Sequence, residues 1–368
     1  MRQLLFSLAL PAVCAQLVTL LYNMVDRMYI GRMEDGAIAM AGVGLCTPVI
    51  TVFGAIASLF GRGGAPFAAI CMGRGENEEA EAYLGNGFFG LTAASLILTA
   101  GVIFFQKPIL LLFGAGEQTL PYAMDYLGIY SLGTVFVQIT VGMNYYITTQ
   151  GFARTAMVTT MMGGILNIFL DPILMFGLDM GVRGAALATI LSQMASCLWV
   201  MIFLLGKRTR LRLCVKQLRP RKEILKSMLV LGSASFFMRM SEGILQICFN
   251  RQAGRFGGDI AVSAMSILFS MYQFILLPIE GIAQGSQPII SYNYGSGNKE
   301  RVRLAVRLAI VSTMIFSLSL GAAMLMIPQL FIRIFNSDPE LVETGSQMLR
   351  VYVIGCLIMG ANSTCQQT

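Results

Sequence analysis

The chain has 368 residues, of which 56% are hydrophobic and only 12% are charged, and its mean hydropathy is +0.70. A water-soluble domain carries about 25% charged residues, so this composition excludes a protein whose whole surface faces water and leaves lipid as the covering medium. The formal net charge is +7 and histidine is absent, which removes histidine zinc sites, Ser-His-Asp triads and histidine proton switches.

Backbone polar groups in hydrocarbon must be satisfied within their own segment or in a closed barrel. The apolar runs here are long and uniform rather than short and alternating, which selects helices. Taken in chain order, the runs predict ten spans, near 4–30, 37–72, 83–105, 122–148, 156–177, 182–205, 227–250, 260–292, 302–328 and 341–366. A crossing needs about 20 residues, so 37–72 and 260–292 join a crossing to an extension or bend at Gly and Pro. The stretch 4–22 reads as part of the first span rather than as a cleaved leader. The eight cysteines form no CxxC pair and most lie in apolar runs, so they read as small core residues.

Lys and Arg in the loops set the orientation. With the N-terminus in the cytoplasm, the inner side receives Arg2, Arg62, Arg74, Arg154, all the basic residues from Lys207 to Lys226, and Lys299, Arg301, Arg303 and Arg307. The outer side receives Arg27, Arg32, Lys107, Arg183, Arg251, Arg255 and Arg333. The bias is that of a positive-inside membrane protein, and it accounts for the net charge without nucleic acid. The segment GKRTRLRLCVKQLRPRKEILK, 206–226, is then a cytoplasmic linker; an anchoring role and a lipid- or calmodulin-binding helix are both compatible with it.

A shift of 222 residues superposes Pro66 on Pro288, Gly73 on Gly295, Gly75 on Gly297, Phe113 on Phe335, Tyr130 on Tyr352 and Gly133 on Gly355. Spans one to six form one unit and span seven opens the second. Six is even, so both units enter the membrane in the same sense, as a parallel repeat about the membrane normal that encloses a central cleft. The expected organisation is an N-lobe over 1–205, the linker over 206–226 and a C-lobe over 227–368. The second unit holds four spans to the first unit's six, so the duplication predicts two more beyond Thr368.

Ionisable groups inside the membrane cost at least about 2.5–3.5 kcal/mol each and are functional candidates by default. Asp26 and Asp171 lie roughly 8–9 Å below the outer ends of the first and fifth spans at 1.5 Å per residue. Asn167 is four residues before Asp171 and shares its face, and Thr189 enters from the same side in the sixth span at roughly 12 Å depth. Two carboxylates, an amide and a hydroxyl at one level suit a proton site, or a hard cation such as Na⁺ held by several oxygens. Local readings stand beside this one: Asp171 before Pro172 as a helix cap or kink, and Asp26 beside Arg27 as an interface charge. Glu242 in the seventh span is three residues after Arg239, which fits either an internal ion pair or a substrate or proton role. The 25 Met and 23 Phe suit packed cores and also a cleft for varied greasy ligands. The clusters at 61–64 and 73–75 lack P-loop spacing and read as close helix packing and a helix end.

Four segments carry a family resemblance: PAVCAQLVTLLYNMVDRMYIG over 11–31, GILNIFLDPIL over 164–174, GAALAT over 184–189, and EGIAQGSQPIISYNYGSGN over 280–298. Together with the repeat, they resemble the multidrug and toxic compound extrusion (MATE) family. The resemblance implies twelve helices in two six-helix lobes around a V-shaped cleft, of which about ten are present here. It implies a monomeric multidrug antiporter of the bacterial cytoplasmic membrane, not an enzyme. Such an antiporter exports cationic amphipathic drugs or dyes against H⁺ or Na⁺, with no other cofactor. The family's N-lobe cation site matches Asp26, Asn167, Asp171 and Thr189. Glu242 matches a seventh-helix glutamate of some members, but the tenth-helix region GANSTCQ offers Asn362 where those members have Asp. A lipid-linked saccharide flippase of the same superfamily is the alternative; its anionic substrate calls for several cavity cations, and the spans offer mainly Arg239, with Arg62 as a second, for that role.

Overall fold

The apolar runs fold into helices, and no strand occurs among the described residues, which are 1–333 and 339–367 of a computed structural model. The elements are α1 (Arg2–Gly31), α2 (Gly36–Arg74), α3 (Asn77–Leu112), α4 (Leu120–Leu132), α5 (Thr134–Thr149), α6 (Ala153–Pro172), a π-helical turn (Ile173–Gly177) and α7 (Gly181–Leu205). A 3₁₀ turn (Val215–Leu218) leads to α8 (Lys222–Gly295), α9 (Lys299–Met326), α10 (Pro328–Arg333), α11 (Pro339–Cys356) and α12 (Met359–Gln367). Among the described residues, seven helices are long and apolar enough to cross a membrane, and the bent pairs α4–α5 and α11–α12 raise this to nine. The protein is an all-α polytopic membrane protein.

The ten expected spans differ from this at α8. Its helical run covers both the 227–250 and the 260–292 stretches, and among the described residues Ile267–Gly295 is the part of it long and apolar enough to cross. The intervening stretch contains Gly254, Gly257 and Gly258 but no proline.

The chain packs as two compact units, one of residues Leu17–Met240 and one of Met1–Gln16 with Ser241–Thr368. This division follows packing, whereas the expected lobes follow the duplication, and the two place the chain's first residues differently. Within the unit of residues 17–240, one core gathers Leu84, Leu91, Met143, Tyr146, Val200 and Met228. A second gathers Ile30, Phe53, Leu127, Tyr130 and Met175. The other unit has a core of Leu268, Met271, Ile279, Leu349 and Val353. Lipid offers helices little hydrophobic reason to associate, so close backbone approach through small residues matters most. The 61–64 cluster supplies it: a Cβ on Gly63 would strike Met228 O, and one on Gly232 would strike Leu59 O. Here α2 and the start of α8 touch backbone to backbone.

The 222-residue repeat is reproduced bond for bond at the ends of two helices. Gly75 (φ +82°) donates to Met72 O at 3.1 Å, and Glu76 to Cys71 O at 2.9 Å. Gly297 (φ +75°) donates to Tyr294 O at 3.1 Å, and Asn298 to Asn293 O at 2.9 Å. All eight groups correspond at the offset, and both glycines take the left-handed turn that side chains resist. The bent pairs correspond as well, with 58° between α4 and α5 and 41° between α11 and α12. At the first bend, Gly133 leaves room only for the side chain of Ile190, and Thr99 donates to Ser131 O at 2.8 Å. A side chain satisfying a carbonyl beside a glycine is a standard origin of a helix kink.

Candidate functional site

The site grows from the hairpin between α6 and α7. Pro172 lacks a backbone donor, so the α-helical ladder cannot pass through it intact. The chain widens into the π-helical turn Ile173–Gly177 instead, a distortion found often at functional sites. Met180 donates to Leu174 O at 3.2 Å. Gly184 lies so close to the turn that a Cβ there would stand 2.7 Å from Leu174 C and 2.8 Å from Leu174 O. This tight return sets the register of α7 against α6.

That register brings three of the expected residues together. Asn167 Nδ2 donates to Asp171 Oδ1 at 3.1 Å and reaches Thr189 Oγ1 at 3.5 Å. Thr189 Oγ1 gives its own proton to Ala185 O at 3.0 Å, so it meets Asn167 as an acceptor. Asp171 is fully buried and Asn167 is 3% exposed. The capping reading of Asp171 does not describe its observed bond: its Oδ1 takes a side-chain amide from one turn back.

Asp26 joins them from α1. Gly164 lets α1 approach α6, since a Cβ there would stand 3.1 Å from Val18 Cγ1 and 3.2 Å from Tyr22 Cδ1. Asp26 lies within electrostatic reach of Asp171, Tyr22 and Tyr126. Tyr126 on α4 adjoins Thr189 and stacks on Tyr130 at 5.9 Å, which stacks on Phe53 at 6.1 Å. These tyrosines were not singled out from the sequence. Tyr126 and Tyr130 are four apart and so share a helix face, the one signal that could have grouped them.

Three acceptor oxygens in this cluster have no hydrogen-bond donor among the described residues: Asp26 Oδ1, Asn167 Oδ1 and Asp171 Oδ2. Buried acceptors are normally satisfied, and the exceptions here carry two carboxylates' worth of charge. Such a set can take a proton, or offer oxygens to a hard monovalent cation.

The remaining candidates are not drawn into this cluster. Glu242 and Arg239 fall in different compact units. Glu242 lies near Tyr272 in electrostatic terms, and Arg239 Nε has no hydrogen-bond partner among the described residues. Asn362 is exposed and accepts from Gln366 Nε2 at 3.2 Å, one turn along α12. Arg62 is 7% exposed, donates from Nε to Tyr145 Oη at 3.1 Å, and lies over the Tyr145 ring at 5.5 Å.

The multidrug export protein MepA of Staphylococcus aureus is 27% identical over 352 residues, 96% of this chain and 77% of that protein. MepA of Staphylococcus haemolyticus is also 27% identical, with the same coverage. The crystal structure of a MATE protein in the bent conformation shares the fold with a TM-score of 0.92 at 24% identity, over 100% of this chain and 82% of that one. A MOP superfamily transporter from Pyrococcus furiosus follows with a TM-score of 0.88 at 25% identity, over 99% and 82%. The MatE family pattern itself matches residues 11–173 and 234–368, and the chain therefore belongs to the MatE family of multidrug efflux transporters.

Proposed function

We propose that the chain works as a secondary antiporter, exporting cationic amphipathic compounds in exchange for H⁺ or Na⁺ bound at Asp26, Asn167, Asp171 and Thr189. The observation that supports this is the trio of donorless oxygens, Asp26 Oδ1, Asn167 Oδ1 and Asp171 Oδ2. Two carboxylates sharing a buried site resist ionising together, so a bound proton or cation relieves a repulsion that belongs to one arrangement of the helices. Ion binding can shift a two-state equilibrium only by its differential affinity. The Pro172 break and π-helical turn put a distorted, adjustable segment directly after Asp171.

In this reading the lobes are 1–205 and 227–368, joined by 206–226, with the N-terminus in the cytoplasm and a single chain as the working unit. Glu242 draws the cationic substrate electrostatically, and Arg239 and Asn362 complete the polar set of the second lobe. The protein moves its substrate unchanged, without catalysis and without nucleic acid.

The test is efflux of an ethidium-like dye from vesicles holding the chain, with pH and Na⁺ gradients applied separately. Asp26→Asn and Asp171→Asn are each expected to lower gradient-driven efflux at least tenfold while leaving the protein folded. Efflux at the parent rate in both variants, under both gradients, would sink the mechanism.

A further inference from the structure

The N-terminal portions of two helices carry the same unusual combination. At the start of α8, Lys222 and Lys226 lie one turn apart above Leu225, Leu229 and Val230, lining a groove of ≈ 460 Å³. Leu229 is 42% exposed and Val230 67%. At the start of α9, in the other compact unit, Arg303 and Arg307 are spaced in the same way above Val306, Ile310 and Val311, lining a groove of ≈ 410 Å³. Each groove has paired cations toward the helix N-terminal end and exposed aliphatic side chains beyond them, Leu229 and Val230 in the first and Val311 in the second.

The dimensions select an occupant. From Lys222 to Ser233 the groove runs eleven residues, about 16 Å at 1.5 Å per residue, close to half of a hydrocarbon core about 30 Å thick. A ligand that fits is negative at one end and apolar for one leaflet's depth. The positive end of the helix dipole lies at the same end as the lysines and adds to their attraction for an anion. A water-soluble anion would leave the aliphatic stretch bare, and a neutral lipid would leave the paired cations unused.

We infer that each groove binds an anionic phospholipid of the inner leaflet, with the headgroup phosphate on Lys222 and Lys226, or on Arg303 and Arg307, and an acyl chain along the aliphatic residues. This rests on the orientation that puts the starts of α8 and α9 in the cytoplasm. It does not depend on which ion drives transport. The paired spacing recurs in both units although the residues do not correspond at the 222-residue offset, so the grooves are not a by-product of the duplication.

A reporter can be placed in the first groove because the chain has a single tryptophan. The full chain with Trp199→Phe and Val230→Trp is reconstituted in phosphatidylcholine bilayers containing either brominated phosphatidylglycerol or brominated phosphatidylcholine. Quenching by the anionic lipid is expected to reflect a binding preference of up to about thirty-fold, from about fivefold per basic side chain near the phosphate. Lys222→Gln with Lys226→Gln is expected to bring that preference to about one and leave quenching by brominated phosphatidylcholine unchanged. Arg303→Gln with Arg307→Gln should not alter this reporter but should abolish the preference seen by Val311→Trp in the same Trp199→Phe background. Equal quenching by the two lipids in the parent reporter would overturn the inference. So would a preference that survives the lysine substitutions, or no quenching by either lipid, which would mean that protein covers the groove.

Discussion

On the proposed reading, Asp171 divides its two oxygens between structure and ion. Oδ1 is held by the Asn167 amide at 3.1 Å, while Oδ2 has no donor. Asn167 is then the orienting residue, because the same Nδ2 also reaches Thr189. A hydrogen bond to a charged group contributes about 1.5–3 kcal/mol. Asn167→Ala is accordingly expected to raise the ion concentration for half-maximal efflux by about ten- to a hundredfold. Thr189→Val keeps the shape but removes one distant oxygen, at 3.5 Å from its partner, and is expected to cost less than about threefold. Efflux titrated against the ion checks the order; a larger effect at Thr189 than at Asn167 would contradict this assignment. An i, i+4 pair and depth counting offered the four oxygen-bearing residues as one candidate set beside local readings, and the family resemblance favoured the set. Tyr22 and Tyr126 could not be grouped in this way, since nothing in an apolar run separates a tyrosine facing a carboxylate from one that packs a core.

At the scale of elements, the basic segment 206–221 is more than a tether. Gln150 Oε1 accepts from Thr209 Oγ1 at 2.7 Å and from the backbone of Arg210 and Leu211, each at 2.9 Å. Glu81 Oε1 accepts from Arg212 N, Asn86 Oδ1 from Arg221 N, and Glu79 pairs with Arg221 at 3.2 Å. The exposed ion pair contributes little, so the buried Gln150 carries most of the docking. Gln150→Leu strands buried donors at about 1–3 kcal/mol each, and tryptic cleavage after Arg210 and Arg212 should accelerate at least tenfold. Unchanged cleavage would show that the strap is held elsewhere. The two left-handed turns allow a matched comparison: Gly75→Ala and Gly297→Ala should each destabilise by about 1–2 kcal/mol, seen as similar falls in Tm. The existence of these elements was legible in the sequence, because hydropathy and the offset act over many residues. The docking was not, because it depends on a glutamine, an asparagine and two glutamates contributed by segments distant in sequence.

At the scale of the whole molecule, the net charge of +7 is a statement about orientation. The basic strap, the start of α8 and the start of α9 all lie at helix ends that a positive-inside chain keeps on one side. The α3–α4 connection, with its exposed Glu117, lies one crossing away from the α2–α3 turn and so on the opposite side. On the proposed orientation, the proposed ion path runs from one face toward the other and the proposed lipid grooves meet only the inner leaflet. Cysteine labelling checks the direction. In a chain whose eight native cysteines are replaced by serine or alanine, Arg210→Cys should react with a membrane-impermeant maleimide only in inside-out vesicles. Glu117→Cys should react only in right-side-out ones. Both positions are exposed, so failure to label would not follow from burial. The reverse pattern would put the strap and both cationic grooves at the outer leaflet, and would overturn the orientation together with the lipid inference that rests on it.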